Sequence, residues 1–592
     1  MGNLLTSFGT GVSGIQVAQV GLNTAAHNTA NTDAVGYVRQ QVIVADHAYI
    51  TNYNENNGLS QIGLGTHVSV ILQRRSDFLD AQYREENGRK SFYEVRSETV
   101  MELQDLFGEL DKESFSKNIG DIWKAFQELS KTPDDITSRE LLVSEANSFI
   151  TKCRTLYNQI NQYQINMNEK IETIVDRVNE IAESIHKINS QVVFFEASGQ
   201  QANDLYDARN LLLDELSGYV PIHTEKYSDG VVTVNVEGIP LVTGDSFYTM
   251  TTAQIDEGSS LIKPVWADNG GGDVFRGELS FSPAANTDIG DLKGILVTRG
   301  SFTGDYTHIP SVPNKEDYID EAGVFDEKAY KIAYNTYESE SKWFNQMVNP
   351  ATVTLLGAQL DTLVHGVVTT INDALCPNKE IEIMSADGTI SKIMVLDEEN
   401  APVGCNGSIG NELFVRASYD RYDKKTVTLA DGETKEVYVF KQEDFDDKYS
   451  LYTLSQIGIN PDVVIDTSNL PLLENDASGF AGGYASKHLV NLLDKWDDDM
   501  LVLDPNSKTY YNFNDFYTGM IGNLGTTGMI AENYLESATT LVNSIEGQRQ
   551  SYVGVSTDEE LVDLMRFQHM YNACSRYITV IDEMLESIIT TL

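Results

Sequence analysis

The chain has 592 residues, 41% of them hydrophobic and 22% charged, with 88 Asp and Glu against 42 Lys and Arg for a formal net charge of −46. A single core stops growing near about 250–300 residues, so three or four domains are expected. The charge excludes a nucleic-acid surface, which needs clustered cations to meet phosphate, and excludes an anionic membrane surface for the same reason.

Cys153, Cys376, Cys405 and Cys574 are scattered without a CxxC pair, which is neither a disulfide framework nor a zinc signature. No run of about 18 apolar residues is present to span a membrane. The opening MGNLLTSFGTGVSGIQ lacks the basic and continuous apolar segments of a cleavable secretory signal. A cytoplasmic protein, or export by another route, is expected.

Residues 1–35 carry Leu5, Phe8, Val12, Ile15, Leu22 and Ala26 at steps of three and four, with Gln19 interrupting. That spacing predicts one apolar stripe on a helix. Gly2, Gly9, Gly11, Gly14 and Gly21 fall in the same segment, and each interior glycine costs about 0.8–1 kcal/mol relative to alanine. The helix is therefore expected to be unstable alone and to form against a partner.

Residues 92–130 and 138–217 read as two long helices, with Pro133 as the break and Asp134 and Asp135 as the cap. Helices of that length predict a rod-like layer. After Pro221 the texture changes: VVTVNVEGIPLVTG (231–244) alternates and turns at Gly238, which predicts strands. Residues 257–315 are rich in Gly, Asp and Ser, 335–375 read as helix, 380–465 as strands, and 509 onwards as helix. At the end, Phe567, Cys574, Ile581 and Ile588 repeat every seven residues, and Leu564, Tyr571, Ile578, Leu585 and Leu592 form a second series offset by four. Together they make an a/d seam over about four heptads.

The expected fold class is α+β multidomain, with the N- and C-terminal helices paired as a coiled coil, a long-helix rod domain, and inserted outer β-rich domains. The expected partition is 1–65 with 547–592 as the terminal coiled-coil assembly domain, and 66–222 with 335–376 and 509–546 as the helical rod domain. Residues 223–334 form a β-rich outer domain, and 377–508 an inserted, variable β-rich outer domain.

Catalytic constellations are missing. HExxH, GxSxG and GxxxxGK[ST] do not occur, and GLGTHV (63–68) fails the dinucleotide fingerprint. DKWDDDMLVLD (494–504) lacks the central Gly and terminal Glu of a calcium loop. It reads as a solvated acidic loop, as does EDFDDK (443–448). No catalytic, cofactor or metal residue is assigned.

HNTANTDAVGYVRQ (27–40) resembles the signature after the first helix of flagellar rod, hook and hook-associated proteins, through Asn28, Asn31, Gly36, Tyr37, Arg39 and Gln40. Asp33, Ala34 and Val35 depart from it. QANDLYDARNLLLDELSGYV (201–220) resembles the ANDL-x-D-x-R-x-x-LLDELS segment of the hook-associated protein 1 family, through Asn203, Asp204, Leu205, Asp207, Arg209, Leu212, Leu213, Asp214, Glu215 and Leu216. DIGDLKGILVTRG (288–300, with Asp291 and Lys293 departing), NFNDFYTGMIGNLGT (512–526) and residues 558–589 are also similar to it. Residues 380–508 carry no such likeness.

The resemblance implies a structural subunit rather than an enzyme, without cofactor. It implies export through the flagellar type III apparatus and assembly as a ring of like subunits between hook and filament, outside the cell. The partners implied are the subunit itself, the hook protein, a second junction protein on the filament side, and an export chaperone on the C-terminal helix. The assembly seam expected from the two ends is Leu5, Phe8, Val12, Ile15 and Leu22 against Leu564, Phe567, Tyr571, Cys574, Ile578, Ile581, Leu585, Ile588 and Leu592. Two other readings stay open: another, hook-type axial subunit, and a secreted adhesin on a coiled-coil stalk.

Overall fold

Pro133 cannot continue a helix, and Asp135 caps the next one, accepting a hydrogen bond from Thr137 N at 3.1 Å. From that cap the computed structural model runs one helix of 61 residues, about 90 Å long. The structure describes residues 2–54, 58–108, 115–197, 199–268, 270–275, 281–319, 323–385, 389–475 and 483–591.

In chain order, α1 (Gly2–Ala30) leads to β1 (Gln40–Asp46), β2 (Tyr49–Asn54), β3 (Gly58–Gly63) and β4 (Thr66–Gln73). β1 pairs antiparallel with β4, and β2 with β3. The helical body follows as α2 (Asp77–Phe107), α3 (Phe115–Lys131), α4 (Ile136–Glu196) and α5 (Asn203–Tyr219). β5 (Ile222–Lys226), β6 (Val232–Val236) and β7 (Ile239–Val242) form an antiparallel sheet beside a ladder of β8 (Met250–Gln254) and β9 (Ile262–Trp266). The chain returns to helix in α6 (Asp291–Arg299), α7 (Glu327–Trp343) and α8 (Thr352–Leu375).

The insertion then supplies β10 (Asn378–Met384), β11 (Ile390–Leu396), β12 (Phe414–Arg416), β13 (Tyr422–Thr428), β14 (Thr434–Phe440) and β15 (Ile457–Ile459). Its main sheet has the order β10-β11-β14-β13, and β12 pairs with β15. Two shorter helices, α9 (Pro461–Ile465) and α10 (Ser486–Trp496), precede the long α11 (Phe513–Val553) and α12 (Thr557–Thr591).

The spine is α4. Leu142, Ala146, Phe149, Cys153, Leu156 and Ile160 bury one stretch of it in a core shared with α3, α8, α10 and α11. Further along, Ile171, Val175, Val178, Ala182 and Ile185 bury the same stripe in a second core with α5, α6 and β6–β9. Each such Leu, Ile or Phe contributes about 1.5–3 kcal/mol, so one helix joins two independently filled cores. α11 packs along α2, with Tyr534 stacked on Tyr93 at 4.8 Å between centroids.

Several sequence expectations change in detail. The helix expected over 92–130 is two helices, because Gly108 at φ +57° closes α2 with a left-handed cap. The helix expected over 138–217 ends at Glu196 and restarts at Asn203. Residues 335–375 divide at a π turn, Phe344–Val348. Apolar periodicity resumes on both sides of each break, so periodicity alone reads through it. Glu443 is not a solvated acid: it accepts hydrogen bonds from Tyr306 Oη at 2.6 Å and Tyr452 N at 2.7 Å, and lies 2.9 Å from His365 Nε2. The edge expected at 65/66 cuts β4 from its partner β1, and that at 546/547 falls inside α11.

Candidate functional site

The two chain ends meet: α1 and α12 pack against each other along their length. α12 presents the expected heptad face, with Phe567 and Ile581 buried and Leu564, Cys574, Ile578, Leu585 and Ile588 half-buried. Tyr571 sits at its margin, 39% exposed. Leu592 lies outside the described residues, as does the side chain of Leu5.

On α1 the seam differs from the one expected. Gly11, Gly14, Ala18, Gly21, Ala25 and Asn28 are buried at steps of three and four, with Val17 and Thr24 buried beside them. Val12, Ile15 and Leu22 are half-buried on the flank, and Phe8 is 39% exposed. The expected stripe is displaced by one residue, about 100° around the helix.

The physical reason is size. A methyl group added at Gly11 would come within 2.7 Å of Ile578 Cγ1, and one at Gly14 within 2.5 Å of Cys574 Sγ. One at Gly21 would collide with the Phe567 ring. Large residues from α12 sink into a flat track of glycine and alanine on α1, so the glycines that weaken the isolated helix make its interface. A hydrophobicity pattern registers large apolar residues and misses a face built from absent side chains.

Just past this pair the family-motif residues converge. Gly36, at φ +81°, turns the chain back after α1. Asn31 Nδ2 donates to His27 O at 3.0 Å, closing the helix end. Asn28 uses every hydrogen-bonding position it has. Its Oδ1 accepts from Tyr37 Oη at 2.8 Å and Gln40 N at 3.0 Å, and its Nδ2 donates to Gln40 O and Glu560 Oε2, both at 2.9 Å. Burial, with Asp204, Asp207 and Glu560 nearby, pushes the Tyr37 phenol well above its ordinary range, so it remains a donor.

Arg39 reaches the start of α12, meeting Glu560 and Glu559 at 2.6 Å and Asp563 at 3.5 Å. Its backbone N–H donates to Val553 O, at the end of α11, at 3.1 Å.

The α5 motif meets the same turn from the body side. Asn203 Nδ2 donates to Ile71 O at 3.0 Å, and Asp204 accepts from Gln40 Nε2 at 2.9 Å. Asp207 Oδ2 accepts from Val38 N at 3.1 Å and Gln73 Nε2 at 2.9 Å. Burial raises the Asp207 carboxyl to about 7, against the lowering pull of Val38 N–H and Arg75. Asp214 joins Arg84 of α2 at 2.7 Å to Arg549 of α11 at 2.6 Å. Glu215 pairs with Arg177 of α4 through two bonds of 2.7 and 2.9 Å. Arg209 donates to Asn189 Oδ1 and Gly230 O, both at 2.8 Å.

Sequence reasoning missed Arg75, Asp80, Arg84, Arg549, Glu559, Glu560 and Asp563. Only the acids carried a signal, and it pointed elsewhere: acidic residues opening a helix are accounted for by its dipole.

The arrangement ties the two chain ends to each other and to the helical body through hydrogen bonds and ion pairs. Among the described residues no group of three or more His, Cys, Asp or Glu could hold a metal ion. No described helix is long and apolar enough to cross a membrane.

Family profiles match the flagellar hook-associated protein FlgK helical domain at residues 100–309 and the flagellar basal body rod FlgEFG protein C-terminal segment at residues 548–591. The chain is 24% identical over 586 residues to flagellar hook-associated protein 1 of Bacillus subtilis (strain 168), covering 97% of this chain and 96% of that one. It is 21% identical over 589 residues to the protein of the same name in Escherichia coli (strain K12), covering 98% of each. Among solved structures it is similar to the flagellar hook junction protein FlgK from Burkholderia pseudomallei, with 12% identity and TM-score 0.48 over 81% of this chain and 100% of that one. The chain is thus similar along nearly its whole length to flagellar hook-associated protein 1, and its residues 100–309 match the helical domain of that family.

Proposed function

We propose that the chain is the subunit of a ring that joins hook to filament, reached by type III export. In this reading the hook protein and a second junction protein on the filament side are its neighbours. A chaperone covers α12 before export. The terminal pair, α1 with α12, is the assembly element. The rod (66–222 with 335–376 and 509–546) and the outer segments 223–334 and 377–508 stand outside it, with the boundaries moved to the nearest element ends.

The observation that carries this reading is how little the terminal pair buries by itself. On α12 only Glu560, Phe567 and Ile581 are buried among the described residues, while Met565, Tyr577, Val580 and Met584 are exposed. Two helices with one narrow seam are marginal. Further copies packing on the exposed apolar positions supply the missing burial. Similarity along nearly the whole chain supports the junction over another axial station, since the rod-type match is confined to residues 548–591.

The test is complementation with Ile581→Asp. Ile581 is 3% exposed, and an unpaired carboxylate there cannot be accommodated. The variant should fold through its body, shown by unchanged amide-exchange protection of α4 and α8, and fail to restore motility. Normal motility would contradict the assembly role of the seam.

A further inference from the structure

Beside the junction, between α5, the start of α2 and β5, lies a cavity of about 380 Å³. Its charge runs against that of the molecule. Arg75, Arg84, Arg209 and Lys226 line it against two carboxylates, Asp77 and Asp80, in a chain of net charge −46. Arg75 and Arg84 are already paired, with Asp80 at 2.5 Å and Asp214 at 2.7 Å.

Arg209 and Lys226 are not. Among the described residues, no carboxylate lies within 4.0 Å of either. Arg209 is 2% exposed; Nη1 meets two neutral acceptors, and Nε has no partner among the described residues. Its guanidinium and the Lys226 ammonium lie 5.0 and 4.7 Å from the centroid of one ring, Tyr206. The Tyr206 hydroxyl donates to Glu196, which engages that carboxylate.

A buried guanidinium without an anion is unfavourable, and its planar fork suits a carboxylate or phosphate. We propose that this cavity is an oxyanion site, in which a carboxylate or phosphate group is held between Arg209 and Lys226. The group is either a free ion or an acidic side chain of a neighbouring copy. The second source rests on the ring reading above, and the first does not.

The test uses the full chain. Sodium phosphate is titrated by calorimetry at constant ionic strength, with chloride as the control, for the native protein, Lys226→Gln and Lys226→Arg. Lys226 is exposed, and its ammonium meets the Tyr206 ring but no carboxylate among the described residues, so an unchanged thermal midpoint is the control that its replacement leaves the fold intact. Saturable phosphate binding, about tenfold weaker in Lys226→Gln and restored in Lys226→Arg, supports the free-ion source. In a second arm, carbodiimide coupling of assembled flagella followed by mass spectrometry supports the neighbouring-copy source if Lys226 is joined to an Asp or Glu of another copy. Phosphate indistinguishable from chloride, together with no such link from Lys226, overturns the proposal.

Discussion

Glu560 is 1% exposed, and its carboxylate is held by Arg39 at 2.6 Å and Asn28 at 2.9 Å. Removing one partner of a buried ion pair costs about 3 kcal/mol or more, because the other charge is left uncompensated. Arg39→Ala is therefore expected to speed amide exchange in the first turns of α12 by on the order of 100-fold, whereas Glu560→Gln, which keeps one of the two accepting oxygens and leaves Arg39 paired with Glu559 and Asp563, has a smaller effect. Equal exchange in the two variants would contradict the pair.

Asp207 makes a prediction in pH. Its folded pKa, about 7, lies above its ordinary value of 3.8. Ionisation on raising the pH through that interval therefore weakens the fold, and protonation on lowering it strengthens the junction. The thermal midpoint should rise as pH falls from about 8 to about 5, and Asp207→Asn should remove part of that rise, with Asp291 and Asp361, whose carboxyls burial also raises to about 7, supplying the rest; an unchanged slope in the variant would show that Asp207 does not contribute. These motif residues were visible in the sequence as a set, but what each touches was not. Glu560 is 532 positions from Asn28, and Arg549 is 335 from Asp214. No periodicity or spacing connects such residues.

The helices differ in how legible they are. α12 shows its seam because large apolar side chains mark it every seven residues, and the structure uses that same face. α1 hides its seam, because the contact is made by Gly11, Gly14 and Gly21. That difference inverts an ordinary expectation. Gly→Ala inside a helix normally stabilises by about 0.8–1 kcal/mol. Gly9, with nothing within 4 Å of an added methyl group, should follow the rule. Gly21, against the Phe567 ring, should break it. Protease protection of α1 should therefore be kept or improved in Gly9→Ala and lost in Gly21→Ala; improvement in both would mean that α12 does not seat on the glycine track. The breaks at Gly108 and after Glu196 were hidden for another reason: the stripe on α4 and α5 resumes in phase with a core, and only local backbone geometry records the interruption.

At the scale of the molecule, α4 carries two cores on one helix, and the chain ends return to each other past everything between them. The order of helical and strand texture was enough to expect inserted β-rich regions on a helical scaffold. The insertion's own sheet order, β10-β11-β14-β13, was not, because β11 meets β14 through Val395 and Val439, residues too far apart in the chain for any turn signal to join. The mechanical reading requires that the subunit act after hook completion and before filament growth. Electron microscopy of a strain lacking this chain tests that requirement most directly. Hooks of normal length without filaments, with filament protein shed into the medium, are the expected result; filaments growing from those hooks would contradict it.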